Sequence, residues 1–121
     1  MSKIGEIVWR DLTVPNAAEV KDFYTRVVGW KAEDHPMGDY ADYNIIPPDS
    51  QEGITGICLA RGSNASVPAQ WLMYVQVDDV NAAAERCREA GGSVVDGPRK
   101  MGGQDFCVIK DPAGAVLALV S

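Results

Sequence analysis

Hydrophobic and polar positions follow the same order twice along the chain. Residues 7–14 alternate and are rich in β-branched and aromatic side chains, which predicts a half-buried strand, and residues 71–77 repeat that pattern. A helix is predicted after each. The first opens at Asn16, with Glu19 three residues on as in a capping box. Val20, Phe23, Val27 and Val28 recur at helical spacing and form its expected apolar face. Gly29 is expected to end it in a left-handed conformation. The second helix opens at Asp79, with Val80, Ala83, Ala84, Cys87 and Ala90 on its apolar face and Gly91-Gly92 as the stop. Three short strands are predicted after each helix, at 30–33, 40–46 and 54–60, then at 93–95, 105–110 and 115–120. The turn Asp111-Pro112-Ala113-Gly114 suits a hairpin: proline presets φ and glycine is free to take φ > 0.

Shifting the second half back by 63 positions places Val77 on Val14, Gly92 on Gly29, Asp105 on Asp42 and Phe106 on Tyr43. Each half therefore reads βαβββ. One copy alone cannot cover both faces of its sheet. The expected fold is α+β, with two tandem βαβββ modules paired into one curved mixed sheet and the helices on its outer face. The modules are placed at 1–62 and 70–121, within a single domain, and a small polar linker occupies 63–69.

Composition narrows the partners. Eleven Lys and Arg stand against 17 Asp and Glu, a net charge of −6. Phosphate backbones need clustered cations, so nucleic acid is not an expected partner. Apolar runs are short and the first residues contain no signal-like apolar stretch, so no membrane partner is expected. Cys58, Cys87 and Cys107 are odd in number with no C-x-x-C pair, which argues against a disulfide framework and fits a cytoplasmic location. Modules this small leave sheet edges and shallow clefts, for which a two-fold homodimer is the common solution.

Several segments resemble a known family. Val14-Pro15-Asn16, Phe23-Tyr24 and Val28-Gly29-Trp30 are similar to the first-module signature of the vicinal oxygen chelate superfamily. That superfamily includes glyoxalase I, bleomycin-resistance proteins and extradiol dioxygenases. Val77-Asp78-Asp79, Gly91-Gly92 and Lys110-Asp111-Pro112-Ala113-Gly114 resemble its second module. The resemblance implies one metal ligand on the first and last strand of each module, the metal acting as a Lewis acid on two neighbouring substrate oxygens. Carried over by position, those places are Trp9, Leu72, Ala118 and one residue within Gly56 to Leu59. Trp, Leu and Ala offer no donor, and within the fourth stretch only Cys58 does. No metal and no other cofactor is expected. The lone histidine, His35, sits between acidic residues and a proline and reads as a solvated loop residue.

With Trp9 on the concave side, Asp11 shares that side by the period of two, and Leu72, Tyr74 and Gln76 follow on the matching strand. Tyr43 and Phe106 join them as matching places in the repeat. Trp9, Asp11, Tyr43, Leu72, Tyr74, Gln76 and Phe106 make a mostly apolar, aromatic set with a few polar groups, suited to a small aromatic or amphipathic ligand. Trp9 either lines an open pocket or plugs the place of a lost metal. Asp11 serves as a base or binds a ligand cation if buried near Trp9, or simply pairs with Arg10, Arg61 or Arg99 or stands exposed at the sheet rim. The alternatives to a metal-free binding protein are an enzyme of the same superfamily, either a metal-dependent lyase or dioxygenase with displaced ligands or one using metal-free chemistry at Asp11 and Tyr74, and a dimeric assembly module with no ligand.

Overall fold

The protein is described by a computed structural model covering residues 2–121. In chain order the elements are β1 (Ile7–Val14), α1 (Ala17–Val28), β2 (Lys31–Pro36), β3 (Ala41–Ile46), β4 (Thr55–Leu59), β5 (Trp71–Gln76), α2 (Val80–Glu89), β6 (Ser93–Met101), β7 (Gln104–Lys110) and β8 (Val116–Val120). The order βαβββ occurs twice and the fold is α+β, as the repeat implies. Gly62–Asn64 forms a short 3-10 turn, and Val67 beyond it is buried.

Both helices begin where expected, by different bonds. Asp79 caps α2 through its carboxylate, which accepts from the backbone N–H groups of Asn81 at 2.8 Å and Ala82 at 3.3 Å. Asn16 precedes α1 but caps no backbone group; its side-chain amide donates instead to Glu19 Oε1 at 2.7 Å. Gly29 ends α1 at φ +83°, its N–H donating to the Thr25 carbonyl at 3.1 Å. After α2 the left-handed residue is Gly91, at φ +95°, and not Gly92.

The chain divides into two compact units. Arg10–Trp71 carries the ladder β2-β3-β4-β1, with β1 and β4 parallel and the other pairs antiparallel. Leu12, Val14, Ala17, Ile45 and Ile57 form its core, with Tyr24, Trp30 and Trp71 packed against it. Trp71 Nε1 donates to Tyr24 Oη at 3.0 Å.

The buried stripe of α1 differs from the expected one. Ala17, Val20 and Tyr24 face the sheet, whereas Phe23, Val27 and Val28 are 56%, 65% and 47% exposed. At about 100° per residue, Ala17, Val20 and Tyr24 span roughly 60° of the helix, and Phe23 and Val27 fall to one side of that arc. Val28 falls about 20° beyond the Ala17 edge of the arc, in the last turn.

The other unit joins the residues up to Trp9 with Leu72–Ser121. Its ladder is β5-β8-β7-β6, with β5 and β8 parallel and the other pairs antiparallel. The N-terminal segment is tied to β5: Gly5 N–H donates to the Gln76 carbonyl at 2.7 Å, and Gln76 N–H to the Glu6 carbonyl at 2.9 Å. Val80, Ala83 and Ala84 of α2 pack on Cys107 and Leu119, flanked by Val75, Val77 and Leu117. β6 runs well past the expected 93–95. The strand continues through Gly97 and Pro98, with register shifts on either side of Asp96. Among the described residues, no helix is long and apolar enough to cross a membrane.

Candidate functional site

Strand register decides which side chains share a face. In the Arg10–Trp71 unit both Leu12 and Tyr43 lie opposite Ile57, which places Tyr43 on the side of α1. There Lys21 Nζ of α1 lies 5.0 Å from the centre of its ring. Tyr43 therefore flanks the core and is not a wall of the face turned away from the helix. Asn44 opposite Gly56 corresponds to Val108 opposite Ala118, a shift of 64 along this strand. Asp42, not Tyr43, is thus the counterpart of Phe106. A slip of one residue moves a side chain to the other face.

The face of that unit away from α1 carries Asp11, Thr13, Asp42, Asn44, Gly56 and Cys58. A Cβ built on Gly56 would lie 3.7 Å from Cys58 Sγ and 4.0 Å from Asp11 Cβ. Asp42 Oδ1 accepts from the Leu59 N–H at 2.9 Å. Burial, with a smaller contribution from the Asp11 and Asp42 carboxylates, pushes the Cys58 thiol up to about 12. Burial thus disfavours the thiolate form at neutral pH. His35 is an exposed strand residue opposite Asp42 rather than part of a loop. Among the described residues, no three His, Cys, Asp or Glu groups are placed to hold a metal.

In the other unit, Leu72, Tyr74, Gln76, Phe106, Ala118 and Val120 share the face away from α2. Tyr74 and Phe106 meet at 5.9 Å between ring centres, tilted by 31°. The Arg99 guanidinium lies 4.8 Å over the Phe106 ring. Asp96 holds it there, accepting from Arg99 Nε and Nη2 at 3.0 Å each. The carboxylate of Asp96 is almost fully buried. The pattern of the residues missed this ion pair, because the expected strand at 93–95 stopped short of both partners.

Leu72, Tyr74 and Phe106 are all buried, and Gln76 is half-buried with its amide donating to the Val77 carbonyl at 3.1 Å. Trp9, alone among the expected site aromatics, is exposed, at 39%. Asp11 is half-buried. One hollow of about 250 Å³ is lined by Met73, Ile109, Asp111, Ala115, Val116 and Leu117, and another of about 530 Å³ runs along α1. Neither is lined by the expected site residues.

The ladders also fix the fourth metal position. Thr13 lies opposite Cys58 as Gln76 lies opposite Val120, so Gly56 is the counterpart of Ala118. Trp9, Leu72, Gly56 and Ala118 hold no oxygen, nitrogen or sulfur donor that binds a divalent ion. A metal at those four positions does not fit this chain.

Residues 3–119 match the sequence profile of the Glyoxalase/Bleomycin resistance protein/Dioxygenase superfamily. The chain belongs to this superfamily. Among relatives of the superfamily, it is 31% identical over 133 residues to the anthracycline biosynthesis protein DnrV of Streptomyces peucetius, covering 95% of this chain and 46% of DnrV. It thus spans about half the length of that relative. It is 26% identical over 124 residues to YurT of Bacillus subtilis (strain 168), covering 95% of this chain and 98% of YurT. A solved structure of a Streptomyces coelicolor methylmalonyl-CoA epimerase variant with 2-nitronate-propionyl-CoA superposes with a TM-score of 0.53 at 18% identity, over 98% of this chain and 97% of that one. That likeness is one of fold.

Proposed function

We propose that this member of the glyoxalase/bleomycin-resistance superfamily binds a small aromatic or amphipathic molecule and carries no metal at the family's four ligand positions. The carrying observation is the replacement of all four donors by Trp9, Leu72, Gly56 and Ala118. A Lewis acid needs fixed donors, and these side chains favour apolar contact instead. The exposure of Trp9 supports a stacking platform rather than a plug, since a plug would be buried. Asp11 follows two residues further along β1. The name of the relative DnrV, from an anthracycline biosynthetic system, supports a small-molecule partner. Three free cysteines support a reducing, cytosolic setting.

The burial of Leu72, Tyr74 and Phe106 favours a second reading, in which that face is closed and the chain serves only as an assembly module. Fluorescence titration with a panel of planar aromatic compounds separates the two. Trp30 and Trp71 are packed in the first unit's aromatic cluster, so quenching should come mainly from Trp9. Saturable quenching that Trp9→Ala abolishes is the expected result. No saturable quenching by any compound supports the assembly reading. A tightly held equivalent of Ni, Zn, Fe or Mn in purified protein would overturn the metal-free assignment.

A further inference from the structure

α1 has two apolar stripes, and the sheet uses only one. Ala17, Val20 and Tyr24 are turned to the core, while Phe23 and Val27 stand outside it, one helical turn apart. With Glu19, Asp22 and Arg26 they line the hollow of about 530 Å³ along the helix. We propose that this outer face of α1 docks against the same face of α1 in a second copy of the chain, antiparallel, about a two-fold axis at Phe23. The proposal is independent of the ligand-binding reading.

Charge complementarity selects this occupant. The acidic residues Glu19 and Asp22 precede Phe23, and the basic residue Arg26 follows it. Arg26 makes no ion pair among the described residues. At a rise of about 1.5 Å per residue, Arg26 lies about 4.5 Å beyond Phe23 along the axis. In an antiparallel copy, Asp22 lies about 1.5 Å and Glu19 about 6 Å in the same direction. Each Arg26 therefore comes level with the space between two carboxylates of the second copy, and Phe23 meets Phe23 at the centre. A parallel arrangement would set like charges side by side. An isologous contact needs a patch complementary to itself, and this face meets that condition. Anionic lipid does not suit the face, because its flanks are mainly acidic and the chain's net charge is −6.

Sedimentation velocity on the full chain, over a series of concentrations, tests the contact. The expected result is a concentration-dependent dimer. Phe23→Asp should weaken it by about tenfold or more while leaving the thermal unfolding curve near that of the parent, since Phe23 is exposed. Asp22→Arg and Arg26→Asp should each weaken it, and the double variant should restore it, because the exchanged charges still meet across the axis. A monomer at every concentration overturns the proposal. So does a dimer whose affinity Phe23→Asp leaves unchanged, and so does a double variant no better than the two single ones.

Discussion

Gly92 and Cys87 approach so closely that one added carbon has no room between them. A Cβ on Gly92 would lie 2.7 Å from Cys87 Sγ, and equally 2.7 Å from the carbonyl oxygen of Lys110. The glycine lets the chain turn from α2 into β6 directly under the helix. Its backbone is not left-handed; space, and not φ, requires it.

Gly92→Ala is therefore predicted to destabilise by overpacking, by about 1–3 kcal/mol. Cys87→Ala added to it should recover only part of the loss, because the Lys110 carbonyl remains. Gly29→Ala has open space around its Cβ and should act through backbone strain alone, at about 1–2 kcal/mol. Thermal melts of the three variants check this. Full rescue by Cys87→Ala would mean that the backbone yields.

Trp9 and Phe106 should separate binding from stability. Trp9 is 39% exposed, so Trp9→Ala is predicted to cost less than about 1 kcal/mol, well below the range for a buried aromatic. Phe106 is fully buried between Tyr74 and Arg99, and Phe106→Ala should cost about 3–5 kcal/mol. Denaturant titration measures both. Comparable losses would place Trp9 among the packed residues and remove the basis for a stacking platform.

The two helix starts predict unequal sensitivity. Asp79→Ala removes an acceptor from two backbone N–H groups and should cost about 0.5–2 kcal/mol. Asn16→Ala removes only an exposed bond to Glu19, and its effect should stay within about 0.5 kcal/mol. Equal shifts in melting temperature would contradict this difference.

Alkaline pH should unfold the protein progressively. Burial is the main cause that raises the Cys58 thiol to about 12 and the Cys107 thiol to about 11, from an ordinary value of 9.0. Above pH 9 the unfolded chain loses these protons while the folded chain keeps them. The folded state then binds more protons, so stability falls as pH rises. The loss should run between about pH 9 and 12, with no contribution from these thiols below it. Cys58→Ala should flatten the decline when melting temperature is followed against pH. An unchanged slope would show that Cys58 ionises equally in both states.

The βαβββ order of each half and the helix starts at Asn16 and Asp79 were legible along the chain, as were residue types without a metal donor at Trp9, Leu72 and Ala118, the places that the family resemblance points to. These depend on local periodicity, short-range turn chemistry and residue type, which neighbours along the chain express. Which faces are used depends on strand pairing and helix packing. Tyr43 and Asp42 exchanged sides through a one-residue difference between the repeats, which pairing with β4 fixes and a single shift of 63 cannot. Phe23 and Val27 satisfy helical spacing as well as Val20 and Tyr24 do, but the sheet beneath α1 reaches only one of the two stripes. The Arg99–Asp96 pair and its stack on Phe106 arose because β6 ran on through Gly97 and Pro98 once β7 lay beside it. Each of these depends on contacts between residues far apart in the chain, and the spacing of side chains within one segment does not record them.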